Sequence, residues 1–187
     1  MERPPTKTPS HPTLPAMVYL ALGSNLGNRA GHIDWACARL AELDQTQLCC
    51  VSSIIETEPV GPIAQGAFLN AAAAIKTRLG PRVLLAQLQA LEAQRGRNRT
   101  HQVRWGPRTL DLDILLYGDL QCDEPGLCIP HMALCDRLFV LEPLAQIAPE
   151  VVIPGTTLRI SDAHTQLIQR NKTVPALPET PFASHDQ

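Results

Sequence analysis

Hydrophobic and polar residues recur along the chain with two different periods, which predict where strands and helices lie. Residues 18–22 form an apolar run that ends at Gly23, as a buried strand does. Helical spacing of apolar residues at 33, 36, 37 and 40 predicts a helix over about residues 28–43. Residues 48–57 are rich in β-branched side chains and predict a second strand.

The second half of the pattern predicts two strands, three helices, a loop and a turn or short hairpin. Residues 58–66 form a Gly- and Pro-rich loop, and Phe68–Thr77 alternates with Phe68 and Asn70 on its non-core side. Pro81 opens a helix that ends near Gly96. Residues 110–117 predict a strand and 119–128 a turn or short hairpin. Residues 136–147 and the stretch that begins at Ser161 predict helices.

This order of elements predicts the fold class. Strand, helix, strand, strand, helix, strand and then further helices is the split βαβ arrangement of ferredoxin-like α+β proteins. We expect an antiparallel sheet with helices mainly on one face and the ligand site at the other. Proline-rich residues 1–15 and 173–187 are predicted to be disordered tails around a folded domain of residues 16–172.

Composition excludes several classes of protein. A formal net charge of -2 shows no basic excess, which argues against nucleic-acid binding. No apolar stretch approaches the roughly 20 residues that cross a bilayer. We expect no secretory signal, because residues 1–15 are proline-rich and lack an apolar run. The six cysteines form no C-x-x-C pair. We therefore expect a cytoplasmic protein with reduced thiols.

Two carboxylates on the strand of residues 110–117 are the sharpest chemical signal. Asp111 and Asp113 alternate with Leu110, Leu112, Ile114 and Leu116, so the acidic side chains share one face and the apolar ones the other. Their Cα atoms are expected about 7 Å apart, because each strand residue rises about 3.3 Å. Carboxylates so placed suit Mg²⁺, although an ordinary acidic strand face remains the alternative.

A basic segment directly precedes this strand. Residues 95–108 contain five arginines and His101, and arginine binds phosphate oxygens in a bidentate way. A cation site beside an arginine cluster is what a nucleoside triphosphate requires. A solvated basic loop that pairs with Glu92 is the alternative. Neither a Walker-type phosphate loop nor a G-x-G-x-x-G fingerprint occurs in the sequence.

The residues alone indicate a Mg²⁺–nucleotide site and leave its function open. One possibility is a phosphoryl or nucleotidyl transfer from the nucleotide to a small alcohol, and another is a ferredoxin-like binding module without activity. The products distinguish them: release of AMP would indicate pyrophosphoryl transfer, release of ADP or pyrophosphate another transfer, and ATP binding without turnover the binding module.

A ten-residue string narrows this choice. Residues 104–113, Arg-Trp-Gly-Pro-Arg-Thr-Leu-Asp-Leu-Asp, resemble the signature of the 6-hydroxymethyl-7,8-dihydropterin pyrophosphokinase family. Supporting stretches occur in the same order at residues 22–27, at 68–71, and at Pro130-His131 followed by Arg137 and Phe139. The resemblance extends over about residues 17–154.

The resemblance implies a monomeric enzyme of folate biosynthesis that transfers pyrophosphate from ATP to 6-hydroxymethyl-7,8-dihydropterin and releases AMP. Two Mg²⁺ ions would be held by Asp111 and Asp113. The implied catalytic residues are Arg97, Arg108, Asp111 and Asp113. The implied ATP contacts are Gln89, Glu92, Arg97, Trp105, Arg108, Ile114, His131 and Arg137. The implied pterin contacts are Thr57, Pro59, Val60, Phe68, Asn70, Asp111 and Phe139.

Two departures from the family pattern concern the segment that would close over the site. Residues 99–105 are one residue longer than the common pattern, and a lysine that is frequent there is absent. The first stacking aromatic, often tyrosine in the family, is Phe68 here.

Overall fold

The computed structural model describes residues 14–97 and 106–173. The central sheet is antiparallel, with strands in the order β2-β4-β1-β5 and with β3 added to the end of β4. Its strands are β1 (Ala16–Ser24), β2 (Thr46–Val51), β3 (Ile55–Thr57), β4 (Phe68–Thr77) and β5 (Asp111–Tyr117). A hairpin of β6 (Cys122–Glu124) and β7 (Leu127–Ile129) follows. The helices are α1 (Arg29–Glu42), α2 (Pro81–Gln94), α3 (Leu138–Ile147) and α4 (Ile160–Thr173).

The order β1-α1-β2-β4-α2-β5 confirms the ferredoxin-like α+β class. The helices are less one-sided than expected. Helices α1 and α2 share a core with one sheet face, around Leu20, Leu88 and Leu112. Helices α3 and α4 pack on the other face, around Ala72 and Leu115. The ligand site therefore has only part of this second face, next to α3.

The single strand predicted over residues 48–57 is two strands, because Ser52 interrupts the backbone ladder. The Ser52 N–H donates to the carbonyl of Ala72 at 2.9 Å, and the Ala72 N–H donates to Oγ of Ser52 at 2.9 Å. A side chain thus replaces one backbone acceptor, and pairing with β4 resumes at Ile55.

The predicted alternation of β5 holds up to Ile114 and then fails. Leu110, Leu112 and Ile114 lie in the core beneath α1 and α2, as expected. Leu116, predicted on the same face, lies in the opposite core, and Tyr117 instead lies in the core beneath α1 and α2. The cause is a β-bulge: Leu20 pairs with Ile114 whereas the preceding residue, Tyr19, pairs with Leu116. One extra residue reverses every later side chain.

Helix ends agree with the local signals. Asn28 caps α1 by accepting the N–H of Gly31 at 3.1 Å, and Pro81 occupies the first position of α2. The helix predicted over residues 136–147 instead opens with a short 3₁₀ turn, Leu134–Asp136, before α3 begins. Arg137 between them has extended backbone geometry (φ -125°, ψ 109°), so the two helical pieces are separate.

Within residues 14–97 and 106–173, no helix combines the length and the apolar character needed to cross a membrane. The predicted tail boundaries lie largely outside the described residues and stay predictions.

Candidate active site

Three neighbouring strands place polar groups in one row at the end of the sheet. Gly23 of β1 lies opposite Asn70 of β4 on one side and opposite Asp111 of β5 on the other. A Cβ atom on Gly23 would come within 3.3 Å of Oδ1 of Asn70 and 3.7 Å of Cβ of Asp111. Glycine at this position therefore leaves room between the amide and the carboxylate, and it forms part of the floor of a cavity.

A cavity of about 260 Å³ opens above this row. It is bounded by the sheet, the loop after β3 and the start of α3. The residues predicted from the sequence that line it are Thr57, Val60, Phe68, Asn70, Arg108, Asp111, Asp113, His131, Arg137 and Phe139. Positions up to 82 residues apart in sequence thus meet in one space, which we call the first cavity.

Asp111 is held between two guanidinium groups. Nη1 of Arg97 donates to its Oδ1, and Nη1 of Arg108 donates to its Oδ2. Burial alone would raise the pKa of Asp111, but the two arginines outweigh burial and hold the pKa below its ordinary value. Asp111 is therefore ionised, and its negative charge is matched by positive charge that phosphate oxygens can also bind.

Asp113 has a contrasting environment. Among the described residues, its carboxylate makes no hydrogen bond or salt bridge. Burial and the nearby charge of Asp111 raise its pKa above the ordinary value. An incompletely compensated carboxylate beside an ionised one is the donor set that a hard cation neutralises, so the pair fits a divalent metal ion.

Glu92 of α2 binds Arg97, one of the two arginines that contact Asp111. The residue is fully buried, and its Oε1 accepts the backbone N–H of Leu112 at 2.8 Å as well as Nη1 of Arg97. The expectation that Glu92 pairs with an arginine is confirmed. Arg97 consequently bridges Glu92 and Asp111, which fixes the guanidinium against β5.

His131 has a defined tautomer. Its Nδ1 accepts the N–H of Ala133 at 3.2 Å, so the ring proton of the neutral form is on Nε2. Burial lowers the pKa of His131, and this lowering exceeds the opposing effect of Asp113. The neutral ring offers one N–H donor at the boundary between the first cavity and a second one.

The second cavity, of about 610 Å³, adjoins the first. Asp113 and His131 line both cavities. Ile114, predicted as an ATP contact, lines the second one together with Leu85, Leu127 and Met132. The tip of the β6–β7 hairpin, residues 123–126, forms one wall. The second cavity thus combines apolar walls with a polar boundary.

Aromatic and amide groups gather at the far side of the first cavity. Phe68 and Phe139 both line it. Nδ2 of Asn70 donates to Oγ1 of Thr57 at 2.8 Å, which orients the Asn70 amide. Cζ of Arg137 lies 5.6 Å from the centre of the Phe139 ring. These groups can hold a flat, hydrogen-bonding ring.

Four predicted residues within the described part of the chain line neither cavity. Gln89 is half-buried on α2, and Pro59 lies between the lining residues Glu58 and Val60. Glu92 and Arg97 are linked to the first cavity through Asp111, which lines it and accepts a hydrogen bond from Arg97. Trp105 lies outside the described residues.

Sequence reasoning missed two polar residues that hold the site together. The Asn25 side chain is buried and donates to Oε1 of Gln65 at 2.9 Å and to the carbonyl of Gly66 at 3.2 Å. Gln65 lines the first cavity. The sequence signal for Asn25 is slight: it lies in the stretch 22–27 that supports the resemblance, but such a stretch is equally typical of an ordinary strand-to-helix connection.

The fold and site define a class of protein: a small α+β transferase with an acidic pair and arginines between two adjoining ligand cavities. Comparison with known proteins narrows the class. Residues 19–149 match the profile of the family 7,8-dihydro-6-hydroxymethylpterin-pyrophosphokinase (HPPK).

Curated relatives agree with this match. The 2-amino-4-hydroxy-6-hydroxymethyldihydropteridine pyrophosphokinase of Pseudomonas aeruginosa is 47% identical over 137 residues, which is 73% of this chain and 83% of that protein. Its Bacillus subtilis counterpart is 47% identical over 141 residues, 75% of this chain and 83% of that protein. The chain therefore belongs to the HPPK family. It is a diphosphotransferase that transfers pyrophosphate to hydroxymethyldihydropterin in folate biosynthesis.

A solved structure supports the fold alone. Wild-type Plasmodium falciparum HPPK-DHPS with pteroate superposes with a TM-score of 0.66 at 15% sequence identity. The match covers 84% of this chain and 43% of that longer chain.

Proposed function

We propose that this chain catalyses the transfer in the two adjoining cavities, with the pterin in the first and ATP in the second. The substrates of the family's reaction are ATP and hydroxymethyldihydropterin, and the reaction needs a metal cofactor. The observation that carries the proposal is the shared boundary: Asp113 and His131 line both cavities. A phosphate chain that reaches from the second cavity would meet the pterin hydroxyl beside Asp111 and Asp113.

The proposed metal is Mg²⁺, as two ions held by Asp111 and Asp113. When bound, Mg²⁺ would neutralise charge on the phosphate oxygens and orient them. The contrasting states of the carboxylates support this assignment, since Asp113 has a raised pKa that an adjacent cation would lower. Coordination of Asp111 would also weaken its hold on Arg97 and Arg108. Both guanidinium groups would then be available to phosphate oxygens at the same place.

The proposed chemistry requires little from the protein besides position and charge. A bond forms between the pterin hydroxymethyl oxygen and the β-phosphorus, the bond from that phosphorus to the bridging oxygen of AMP breaks, and the hydroxyl proton passes to solvent. Arg97 and Arg108 would stabilise the charge that develops on the transferred group. His131, with its proton on Nε2, and Arg137 would donate to the phosphate chain.

The pterin would stack between Phe68 and Phe139, and the Asn70 amide would read its edge. Thr57 supports this role because it fixes the Asn70 amide, and Val60 lines the same wall. Backbone groups around Pro59 would complete the edge contacts. Glu92 would act on ATP through Arg97. The roles of Gln89 and Trp105 as ATP contacts stay predictions. We also propose that the protein acts as a cytoplasmic monomer.

One assay tests the proposal. The protein is incubated with MgATP and 6-hydroxymethyl-7,8-dihydropterin, and the nucleotide products are separated. We expect AMP in equal amount to the pterin diphosphate, and no AMP without the pterin. Formation of ADP would contradict the pyrophosphoryl step, and binding of ATP without any turnover would contradict an enzymatic role.

A further inference from the structure

Arg82, in the first turn of α2, binds the tip of the β6–β7 hairpin. Nε and Nη2 of Arg82 donate to Oε2 of Glu124 at 2.9 and 2.6 Å, and its Nη1 donates to the carbonyl of Pro125 at 3.0 Å. One guanidinium thus binds a carboxylate and the backbone of the next residue together. This geometry uses the planar fork of arginine, which lysine lacks.

The β6–β7 hairpin has two attachments to the rest of the domain, one through buried residues of β7 and one at its tip. Each strand has three residues, and Leu127 and Ile129 of β7 are buried in the core beneath α1 and α2. The turn between the strands contains Gly126 with φ +77°, a left-handed conformation that favours glycine. Because glycine has no side chain, this residue cannot fix the turn by packing. Arg82 supplies the attachment at this end.

The gripped tip is also a wall of the second cavity. Glu124, Pro125 and Gly126 line the cavity on one side, and Leu85 of α2 lines it on another. The position of the tip relative to α2 therefore sets the width of the cavity. Glu124 contributes a negative charge to the same wall, and Arg82 compensates that charge.

We propose that Arg82 is a positioning residue for the nucleotide: it holds the hairpin tip at the width that the base and ribose require, and it neutralises Glu124 beside a polyanionic ligand. This rests on the proposed placement of ATP in the second cavity. Side chains of Arg82 and Glu124 are 48% and 55% exposed, so the pair contributes little to global stability. Its loss should change nucleotide affinity far more than folding.

The test compares steady-state kinetics of four proteins. For Arg82→Ala we expect the KM for ATP to rise about three- to tenfold, with kcat and the KM for pterin within about twofold of wild type, because nucleotide binding is weakened equally in the ground state and the transition state. The KM for ATP of Arg82→Lys should lie between those of wild type and Arg82→Ala, because lysine keeps the positive charge but lacks the planar fork of arginine. Arg159→Ala is the matched control: it breaks the exposed Arg159–Glu150 pair, neither residue of which lines the second cavity, and should change neither KM.

A double variant separates the effect of the hairpin-tip position from the effect of the Glu124 charge. Arg82→Ala combined with Glu124→Gln removes the uncompensated charge but not the loss of position, so its KM for ATP should recover only part of the way. An unchanged KM for ATP in Arg82→Ala would overturn the inference, as would equal rises in the KM of both substrates. Failure of the proposed function would look different, because wild-type protein would then release no AMP.

An independent observation concerns strand β2, at the edge of the sheet. Leu48 pairs with Ile75 and Cys50 pairs with the preceding residue, Ala74, so Cys49 is an extra residue in a β-bulge. Leu48 faces the core beneath α1 and α2. Cys49, next along the strand, faces the opposite side. Cys50 faces that side as well, because it lies in one row with Ala74 and Tyr19.

The bulge therefore places two adjacent thiols on one face of an edge strand. Both cysteines are free and exposed. Burial and then the electrostatic effects of Cys50 and Cys49 raise the pKa of Tyr19, in agreement with both thiols lying near this phenol. Within residues 14–97 and 106–173, no group of three or more His, Cys, Asp or Glu is placed to hold a metal ion. A ligand that takes only two thiolates fits this pair.

We infer that Cys49 and Cys50 form a binding site for monosubstituted trivalent arsenic, a soft acceptor that takes two thiolates and keeps its third substituent. With phenylarsine oxide, two As–S bonds form, the two thiol protons and the arsenic-bound oxygen leave as water, and no oxidation state changes. We expect one phenylarsenic per protein by intact mass and a loss of two titratable thiols. Ethanedithiol should reverse the adduct, and excess glutathione should not.

Variants locate the adduct. Cys49→Ser and Cys50→Ser should each abolish the glutathione-resistant adduct, whereas Cys135→Ser, which removes an exposed cysteine elsewhere, should leave it intact. Retention of the adduct in either of the first two variants would overturn the inference.

Discussion

Asn25 and Arg108, 83 positions apart in the chain, exchange two hydrogen bonds. The Asn25 N–H donates to the carbonyl of Arg108 at 3.0 Å, and the Arg108 N–H donates to Oδ1 of Asn25 at 2.6 Å. The same Asn25 amide donates to Gln65 and Gly66. One buried side chain thus fixes both the backbone of an arginine that contacts Asp111 and the loop that walls the first cavity.

We predict that Asn25→Ala damages activity beyond its effect on stability. It leaves the Arg108 N–H without its acceptor, which should cost about 1–3 kcal/mol of unfolding free energy. It should also lower kcat/KM at least tenfold, about 1.4 kcal/mol of transition-state stabilisation, because Arg108 loses its position. Urea denaturation and steady-state kinetics measure the two effects.

Asn28→Ala is the matched control for that variant. It removes the N-cap of α1 from the same turn and should cost a similar amount, about 0.5–2 kcal/mol, without contact to Arg108. Its kcat/KM at a temperature well below melting should stay near wild type. An equal loss of activity in Asn28→Ala would assign the Asn25 effect to stability alone.

The two aspartates should separate stability from activity. Asp111→Asn leaves Arg97 and Arg108 without their shared carboxylate and should lower both the melting temperature and turnover. Asp113→Asn removes a half-buried carboxylate with a raised pKa and should leave the metal-free melting temperature equal or higher. Turnover should nevertheless fall by about 10²-fold or more, since a metal ligand supplies several kcal/mol. Near-normal turnover of Asp113→Asn with MgATP would contradict its role as a metal ligand.

The opposite pKa shifts predict opposite pH dependences of stability without metal. For Asp113 the pKa is higher in the folded state than in the unfolded state, so its stabilising contribution is present at low pH and is lost as pH rises through the folded-state pKa. For Asp111 the folded-state pKa is lower, so its contribution is present above the unfolded-state pKa and is lost as pH falls through the folded-state value.

Urea unfolding of wild type, Asp113→Asn and Asp111→Asn across the acidic range up to pH 7 tests this difference. Relative to wild type, Asp113→Asn should gain unfolding free energy as pH rises, and Asp111→Asn should lose it. Parallel curves for the three proteins would show that neither carboxylate changes its pKa on folding, which would contradict both assignments.

The aromatic walls should act on the pterin and not on ATP. We expect Phe68→Ala and Phe139→Ala to weaken pterin binding at least about tenfold, because an aromatic contact contributes about 0.5–1.5 kcal/mol beyond the apolar area that is also lost. Phe68→Leu, which keeps apolar area without the ring face, should lose less. Fluorescence titration with the pterin in the presence of a non-hydrolysable ATP analogue measures these affinities. A comparable loss in ATP affinity would contradict the placement.

Local periodicity determined much of this molecule. The shared face of Asp111 and Asp113 follows from the two-residue period of a strand, and the same rule put Asn70 and Phe68 on the non-core side of β4. The ferredoxin-like class followed from the order of the elements, and the family from a string of ten residues. These features depend only on residues that are close in sequence, because backbone sterics fix the relative geometry of such residues.

Tertiary structure decided the rest. The bulge in β5 moved Leu116 to the other core, α3 and α4 covered part of the second sheet face, and Asn25 met Arg108 across 83 positions. Which arginines pair with Asp111, and which of them Glu92 binds, likewise emerged only in the folded chain. Such contacts depend on strand register and on how helices pack. Both are determined by many weak interactions between residues far apart in sequence, so a local sequence pattern cannot predict them.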